Sequence, residues 1–315
     1  MIWLIGSNGI LGSAIASQLE ANNIKWIGTN EEIDITNPLL LEKFQVSHDV
    51  SFGKTGFSTS TRTAPEKITW VINASSYSDV DKAESENDRC QKVNAEGALN
   101  VARTARKMDA KLIHFSSDYV FDGKKTADYA EDDRKNPVNV YGSSKLEGEY
   151  LVQKESTRYY IIRTSFIYGK NKDSLAEKIA EQAIKGKDIE AVYNLKTSPT
   201  SADDVALFVL KIIQQDLKAK GLFGNKSALP YGVYNFSSMG EASYEDFVRA
   251  ELGFLNKYWK IPEVNVIPVS NDEAKLSAKR PERLVLSKEK ILSHLKIKIP
   301  DWKTGLEKFI KNNRF

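Results

Sequence analysis

Tyr141 and Lys145 lie four residues apart in Tyr141-Gly-Ser-Ser-Lys145, so on a helix they share a face. A phenol held beside an ammonium is equipped to donate a proton, because the cation favours the phenolate left behind. The five-residue pattern is common on surface helices, and its weight comes from its company. Ser117 closes the run His114-Phe-Ser-Ser117 and offers a hydroxyl to a substrate carbonyl oxygen; alone, it would read as a turn or helix cap. Gly6, Gly9 and Gly12 follow the apolar run Ile2-Trp-Leu-Ile5 and open a helical pattern with Leu11, Ile15 and Leu19 on one face. Between a strand and a helix, such glycines let a pyrophosphate reach backbone N–H groups at the helix N-terminus. Proton donor, orienting hydroxyl and dinucleotide turn point together to carbonyl reduction.

These groups need a scaffold that brings three separate stretches to one edge. Short apolar runs alternating with helical patterns predict a parallel sheet covered on both faces, a Rossmann-type doubly wound α/β fold. After the first strand, further strands are expected at 24–28, 69–74, 111–116, 158–166, 232–236 and 264–269. Helices are expected at 37–44, 88–108, 173–185, 201–215, 243–252 and 300–312, besides the one that carries Tyr141. Ligands bind at the carboxyl ends of such strands, where Asn73-Ala-Ser-Ser76 presents small side chains or a plain turn. The segment 48–67 breaks the rhythm, being long for a connection and entering the next strand at its opposite edge. Val50, Phe52 and Phe57 alternate there around Gly53 and Gly56, as in an exposed, partner-binding hairpin or a mobile insertion.

Composition narrows the class. A chain of 315 residues, 41% hydrophobic and 28% charged, buries a real core and holds one large or two modest domains. A single cysteine, Cys90, excludes an intramolecular disulfide framework and fits a reducing cytoplasm. It reads as structural, since no partner for a catalytic thiol is identifiable among His48, His114 and His294. No apolar run reaches the length of a membrane span, and the first residues lack a signal-peptide pattern, so a soluble cytoplasmic protein is expected. The 45 basic and 42 acidic residues are mixed along the chain, which argues against a nucleic-acid surface. No coiled-coil or interface signature stands out, and a homo-oligomer stays open.

Four longer stretches carry a resemblance. Asn73-Ala-Ser-Ser-Tyr-Ser-Asp-Val-Asp-Lys-Ala-Glu84, Ser116-Ser-Asp-Tyr-Val-Phe-Asp-Gly123, Asn136-Pro-Val-Asn-Val-Tyr-Gly-Ser-Ser-Lys-Leu-Glu-Gly-Glu149 and Arg163-Thr-Ser-Phe-Ile-Tyr-Gly169 are similar to the dTDP-4-dehydrorhamnose reductase family. These are extended short-chain dehydrogenases/reductases, and the glycine spacing matches their variant. The resemblance covers nearly the whole chain, with 48–67 as the main excess, and Asp118 to Gly123 is its most discriminating part.

It implies reduction of the C4 keto group of a nucleotide-linked 4-keto-6-deoxy sugar by NADPH or NADH, with Ser117, Tyr141 and Lys145 catalytic. It implies cofactor contacts at Gly6, Asn8, Gly9, Ile10, Leu11, Gly12, Asp34, Ile35, Asn73, Ala74, Ser75, Tyr141 and Lys145, and substrate contacts at Tyr77, Asp118, Phe166 and Arg280. It also implies a dinucleotide domain of residues 1–166 plus 201–236 and a smaller α+β substrate lobe of 167–200 plus 237–315. Some relatives hold magnesium through a glutamate shortly after the third glycine; Ala14 stands there, so no metal is expected.

Three departures fall in the expected substrate region: Phe166 for a tryptophan, Asn194-Leu-Lys-Thr-Ser198 before Pro199, and Leu284 for a polar residue. Gly28-Thr-Asn-Glu-Glu-Ile-Asp34 shows neither an obvious ribose-binding acid at the strand end nor an arginine for the extra phosphate, leaving cofactor choice open with a lean to NADPH. Two other readings are a non-catalytic regulatory subunit, like a relative that accompanies a methionine adenosyltransferase, and a nucleotide-sugar epimerase or dehydratase. The intact trio argues against the first. Asp118-Tyr119 after Ser117, in place of an Asp-Glu pair, argues against a dehydratase.

Overall fold

The computed structural model describes residues 1–48, 66–171, 174–219, 229–313 and 315, so the hairpin or insertion expected between 48 and 67 lies almost wholly outside the described residues. Strand β1 (Ile2–Ile5) is buried along its whole length, with Ile2 and Leu4 packing to one face of the sheet and Trp3 and Ile5 to the other. Helix α1 (Ile10–Ala21) starts directly after Gly9. Strand β2 (Trp26–Thr29) sits a little later than expected, and α2 (Pro38–Ser47) opens on Pro38 with the Asn37 side chain accepting from the Leu39 N–H. Then comes β3 (Trp70–Asn73).

The helix expected at 88–108 arrives in pieces. Helices α3 (Lys82–Ser85) and α4 (Asn87–Gln91) precede a π-helical turn at Lys92–Gly97, which leads into α5 (Ala98–Lys107). Strand β4 (Lys111–Ser117) follows, then α6 (Val140–Glu155), whose Asn139 side chain caps the Gly142 N–H, and β5 (Tyr159–Thr164). Beyond it the chain leaves the sheet through β6 (Ile167–Tyr168), α7 (Leu175–Ile184), β7 (Ile189–Val192), β8 (Lys196–Thr197) and β9 (Thr200–Ser201). It returns through α8 (Ala202–Ala219) and β10 (Gly232–Asn235). The last elements are α9 (Tyr244–Trp259), β11 (Val266–Val269), β12 (Arg283–Leu284), α10 (Glu289–His294) and α11 (Trp302–Asn312). Helix α9 runs to Trp259 rather than 252 because Leu255 still faces an apolar cluster.

The main sheet has six parallel strands in the order β10-β5-β4-β3-β1-β2. From β1 the chain first moves outward to β2 and then crosses to β3 on the other side, so the winding reverses at β1 and opens a crevice at its carboxyl end. One face is covered by α1 and α8 through Leu11, Ile15, Leu19, Val205 and Val209; the other packs Leu41, Val101, Ala105 and Val152 from α2, α5 and α6. A separate core joins Tyr168, Ile179, Phe247, Leu255, Leu306 and Phe309, with β7 paired to β11. The C-terminal segment does not stay with that core throughout, since Ile291, Leu295 and Ile299 pack with the α1–α8 face. Among the described residues no helix is long and apolar enough to cross a membrane.

Candidate active site

A cleft of about 1340 Å³ runs from the glycine turn, past the ends of β3 and β4, to the segment around Arg280. Its first wall is set by backbone constraints. Gly6 has φ +77°, and a Cβ there would lie 2.8 Å from the Ser75 nitrogen, so both conformation and space exclude a side chain. A Cβ at Gly12 would lie 2.0 Å from the Gly6 carbonyl oxygen, which makes Gly12 the seat on which the turn rests. Gly9 differs: its φ is −70°, and a Cβ would meet the Gly6 oxygen at 3.5 Å and nothing else within 4 Å. The fold does not demand glycine at this position, and its bareness leaves open room on the cleft side of the α1 N-terminus. This cradle fits a pyrophosphate.

Asn30, missed in the sequence, latches the turn by accepting at Oδ1 from the Ser7 hydroxyl at 3.1 Å and the Asn8 N–H at 2.9 Å. Its only sequence signal is a carboxamide one residue past a strand. Of the expected cofactor contacts, Gly6, Asn8, Gly9, Ile10, Leu11, Asp34, Ile35, Ala74 and Ser75 line the cleft. Gly12, Asn73 and Tyr77 are not among its lining residues. Asn73 is buried beneath, accepting from the Ser75 N–H and hydroxyl and donating through Nδ2 to His114 Nδ1, so it shapes the turn from below. Burial holds the His114 pKa well down, consistent with a neutral ring that can accept there. Tyr77 exchanges two backbone hydrogen bonds with the Asn94 carboxamide and lies with its ring under Arg89.

Ser117, Tyr141 and Lys145 share the middle of the cleft. The end of β4 positions the serine, whose hydroxyl donates to Asp118 Oδ1 at 2.9 Å and accepts from the Tyr119 N–H at 3.2 Å. The first turn of α6 presents Tyr141, edge-on to the Tyr119 ring with centroids 5.6 Å apart. One turn later, Lys145 donates from Nζ to the Phe115 carbonyl at 2.7 Å. Burial pushes the Tyr141 hydroxyl well above its ordinary pKa, opposed by its hydrogen bond with Ser117 and reinforced by Asp118. Lys145, whose ammonium is turned to that carbonyl, is itself brought down to about 8 by burial. Asp118 is raised to about 6 by burial, opposed by hydrogen bonds from Ser165 and Ser117.

The far wall gathers the residues expected to meet substrate. Phe166 has φ +34° and packs edge-on against Phe247, with Tyr244 beyond. Leu195, Lys196, Thr197 and Leu284 line the same cleft, so the three departures converge on one region. Arg280 is a held residue rather than a loose surface arginine: its guanidinium donates to Asp81 Oδ2 at 2.6 Å and to the Ala278 carbonyl at 3.2 Å. Ser165 and Thr197, also missed, pair their hydroxyls at 2.6 Å and join the Asp118 network to this wall.

The model of the RmlD substrate binding domain matches residues 1–315. The dTDP-4-dehydrorhamnose reductase of Aggregatibacter actinomycetemcomitans is 30% identical over 310 residues, 96% of each chain. That of Mycolicibacterium smegmatis is also 30% identical, covering 97% of this chain and 84% of its own. Among solved structures, the dTDP-4-dehydrorhamnose reductase of Clostridium acetobutylicum superposes with a TM-score of 0.82 at 30% identity, over 98% of both chains. The Bacillus anthracis dTDP-4-dehydrorhamnose reductase, solved in complex with NADP, gives 0.83 at 28% identity over 99% of both. With the whole chain matched and the glycine turn, Ser117, Tyr141 and Lys145 in one cleft, this protein belongs to the RmlD family, that of the dTDP-4-dehydrorhamnose reductases.

Proposed function

We propose that this protein is an NAD(P)H-dependent oxidoreductase that reduces the C4 keto group of a nucleotide-linked 4-keto-6-deoxy sugar. The observation that carries the reading is the meeting of Ser117, Tyr141 and Lys145 with the Gly6–Gly9 cradle in a single cleft. A bound reduced nicotinamide supplies the hydride that the carbonyl carbon accepts. Tyr141 gives its phenolic proton to the carbonyl oxygen as negative charge develops there. Ser117, within hydrogen-bond reach of Tyr141, orients that oxygen and stabilises the charge. Lys145 supplies a positive charge beneath the phenol and, on turning from the Phe115 carbonyl, a donor for a ribose hydroxyl. Gly6, Asn8, Gly9, Ile10 and Leu11 hold the pyrophosphate, while Asp34, Ile35, Ala74 and Ser75 hold the adenosine.

The keto sugar lies toward Asp118 and Phe166, with its diphosphate near Arg280. Residues 1–166 plus 201–236 form the dinucleotide domain and 167–200 plus 237–315 the substrate lobe; the α10 region packs back on the former, a division supported by the separate core around Phe247. Purified protein offered dTDP-, UDP- and GDP-linked 4-keto-6-deoxy sugars should oxidise reduced cofactor steadily with at least one. Cofactor binding without turnover of any of them would favour a regulatory subunit, and sugar conversion without net cofactor oxidation would favour an epimerase or dehydratase.

A further inference from the structure

We propose that the adenosine end of the cleft selects NADH over NADPH, with Asn30, Glu31 and Glu32 as the discriminating residues; this rests on the nicotinamide reading above. The two cofactors differ by one phosphate on the adenosine ribose. Dinucleotide folds contact that ribose with residues just beyond the second strand, where an acid accepts from the free hydroxyl and an arginine accommodates the phosphate. In this chain β2 ends at Thr29, and Asn30 and Glu31 follow it directly into the cleft lining.

Three features make that corner hostile to a phosphate monoester, a group with a charge of roughly −1.5 to −2. First, the acidic residue Glu31 is part of the cleft lining. Second, the Asn30 N–H, the first amide past the strand, is already donated to Glu32 Oε1 at 2.7 Å, so it is not free to bind an anion and carries a carboxylate beside it. Third, the Asn30 carboxamide oxygen is committed to Ser7 and Asn8, and no lysine or arginine occurs from Gly28 to Asn37. A ribose hydroxyl finds acceptors in this corner, whereas a phosphate finds like charge.

The cations of the cleft do not change this balance. Among the described residues lining it, Arg89 pairs with Glu86, Lys196 with Asp246 and Arg280 with Asp81, while Lys145 belongs to the reaction centre. Lys92 is left, on the π-helical turn after β3 rather than after β2. It is the residue that would have to answer a 2′-phosphate if one bound.

Fluorescence titration of the full chain with NADH and with NADPH tests the proposal without any sugar. NADH should bind about tenfold or more tightly than NADPH. Glu31→Gln with Glu32→Gln, which leaves the Asn30 latch in place, should narrow the ratio by strengthening NADPH; Asn30→Arg with Glu31→Gln should narrow or invert it. AMP against 2′,5′-ADP as competitors should reproduce the wild-type order. Equal or tighter NADPH binding by the wild type overturns the proposal, and its loss in Lys92→Met would name the residue responsible. A ratio unmoved by both double variants overturns it as well. Binding of neither reduced cofactor would instead overturn the nicotinamide reading, and this inference with it.

Discussion

Tyr141 must keep its proton until the carbonyl oxygen needs it, and burial does that by raising its pKa far above neutrality. Removing the hydroxyl alone, in Tyr141→Phe, preserves the ring that packs against Tyr119, so melting temperature and cofactor dissociation constant should stay near wild type. Turnover of a keto sugar that the wild type reduces should fall at least ~100-fold, the usual scale for losing a general acid. Wild-type turnover by the variant would remove Tyr141 from the mechanism. Lys145 sets a second expectation. Its ammonium, brought to about 8 by burial, is the charged form below that pH and is lost above it. Since Tyr141 stays protonated throughout this range, kcat/KM should hold level toward neutrality and decline above about pH 8. A profile flat to pH 10 would show that the charge of Lys145 is not required. This pair was legible in the sequence because both members ride one helix. Asn30, Ser165 and Thr197 were not, because their roles are made by partners 22 to 32 residues away that only the fold supplies.

Helix α6 carries Tyr141 and Lys145, so what clamps α6 decides where the phenol points. Arg163 on β5 donates through Nε and Nη2 to both oxygens of Glu149 on α6, at 2.8 and 2.6 Å, and through Nη1 to the Glu131 carbonyl. Both side chains are fully buried, so the pair is a bidentate staple between strand and helix. Arg163→Met strands the Glu149 carboxylate in the interior and should cost about 3–5 kcal/mol in urea unfolding, whereas Arg163→Met with Glu149→Leu should recover much of that loss. Equal losses in single and double variants would mean the cost is packing rather than stranded charge. On its other side, α6 lies against the π-helical turn, where the Asn94 carboxamide donates to Ser144 Oγ and to the Tyr77 carbonyl. The periodicity predicted one continuous helix from 88 to 108 and could not reveal the π turn, since one extra residue inside a helix shifts its apolar face without erasing it. Short β7 was hidden for a related reason: its partner β11 lies some 77 residues away, and four residues carry too little pattern.

The parallel sheet was legible as a whole because each buried strand is a dense apolar run next to a helical pattern, and the carboxyl-end position of the cleft follows from that topology. What was illegible is how the interior is charged. Asp118 in the cleft and Asp204 on α8 are both raised by burial from 3.8 to about 6, and Glu251 on α9, whose two carboxylate oxygens are buried without hydrogen-bond partners, is raised well above 4.5. The sign of the linkage is the same for all three. An acid with a raised folded-state pKa holds its proton in the native state over a range where the unfolded chain has lost it, so its contribution to stability is full below the unfolded value and declines as pH rises through the folded one. For Asp118 and Asp204 the window runs from 3.8 to about 6; for Glu251 it starts at 4.5 and extends further up. Glu251→Gln removes one such group while keeping its shape. The variant should melt close to wild type near pH 4 and increasingly above it as pH rises toward 8, because only the wild type must force a carboxylate to stay neutral. A melting-temperature difference that stays constant across that range would place an ionised Glu251 in the native state, with a partner that neutralises it.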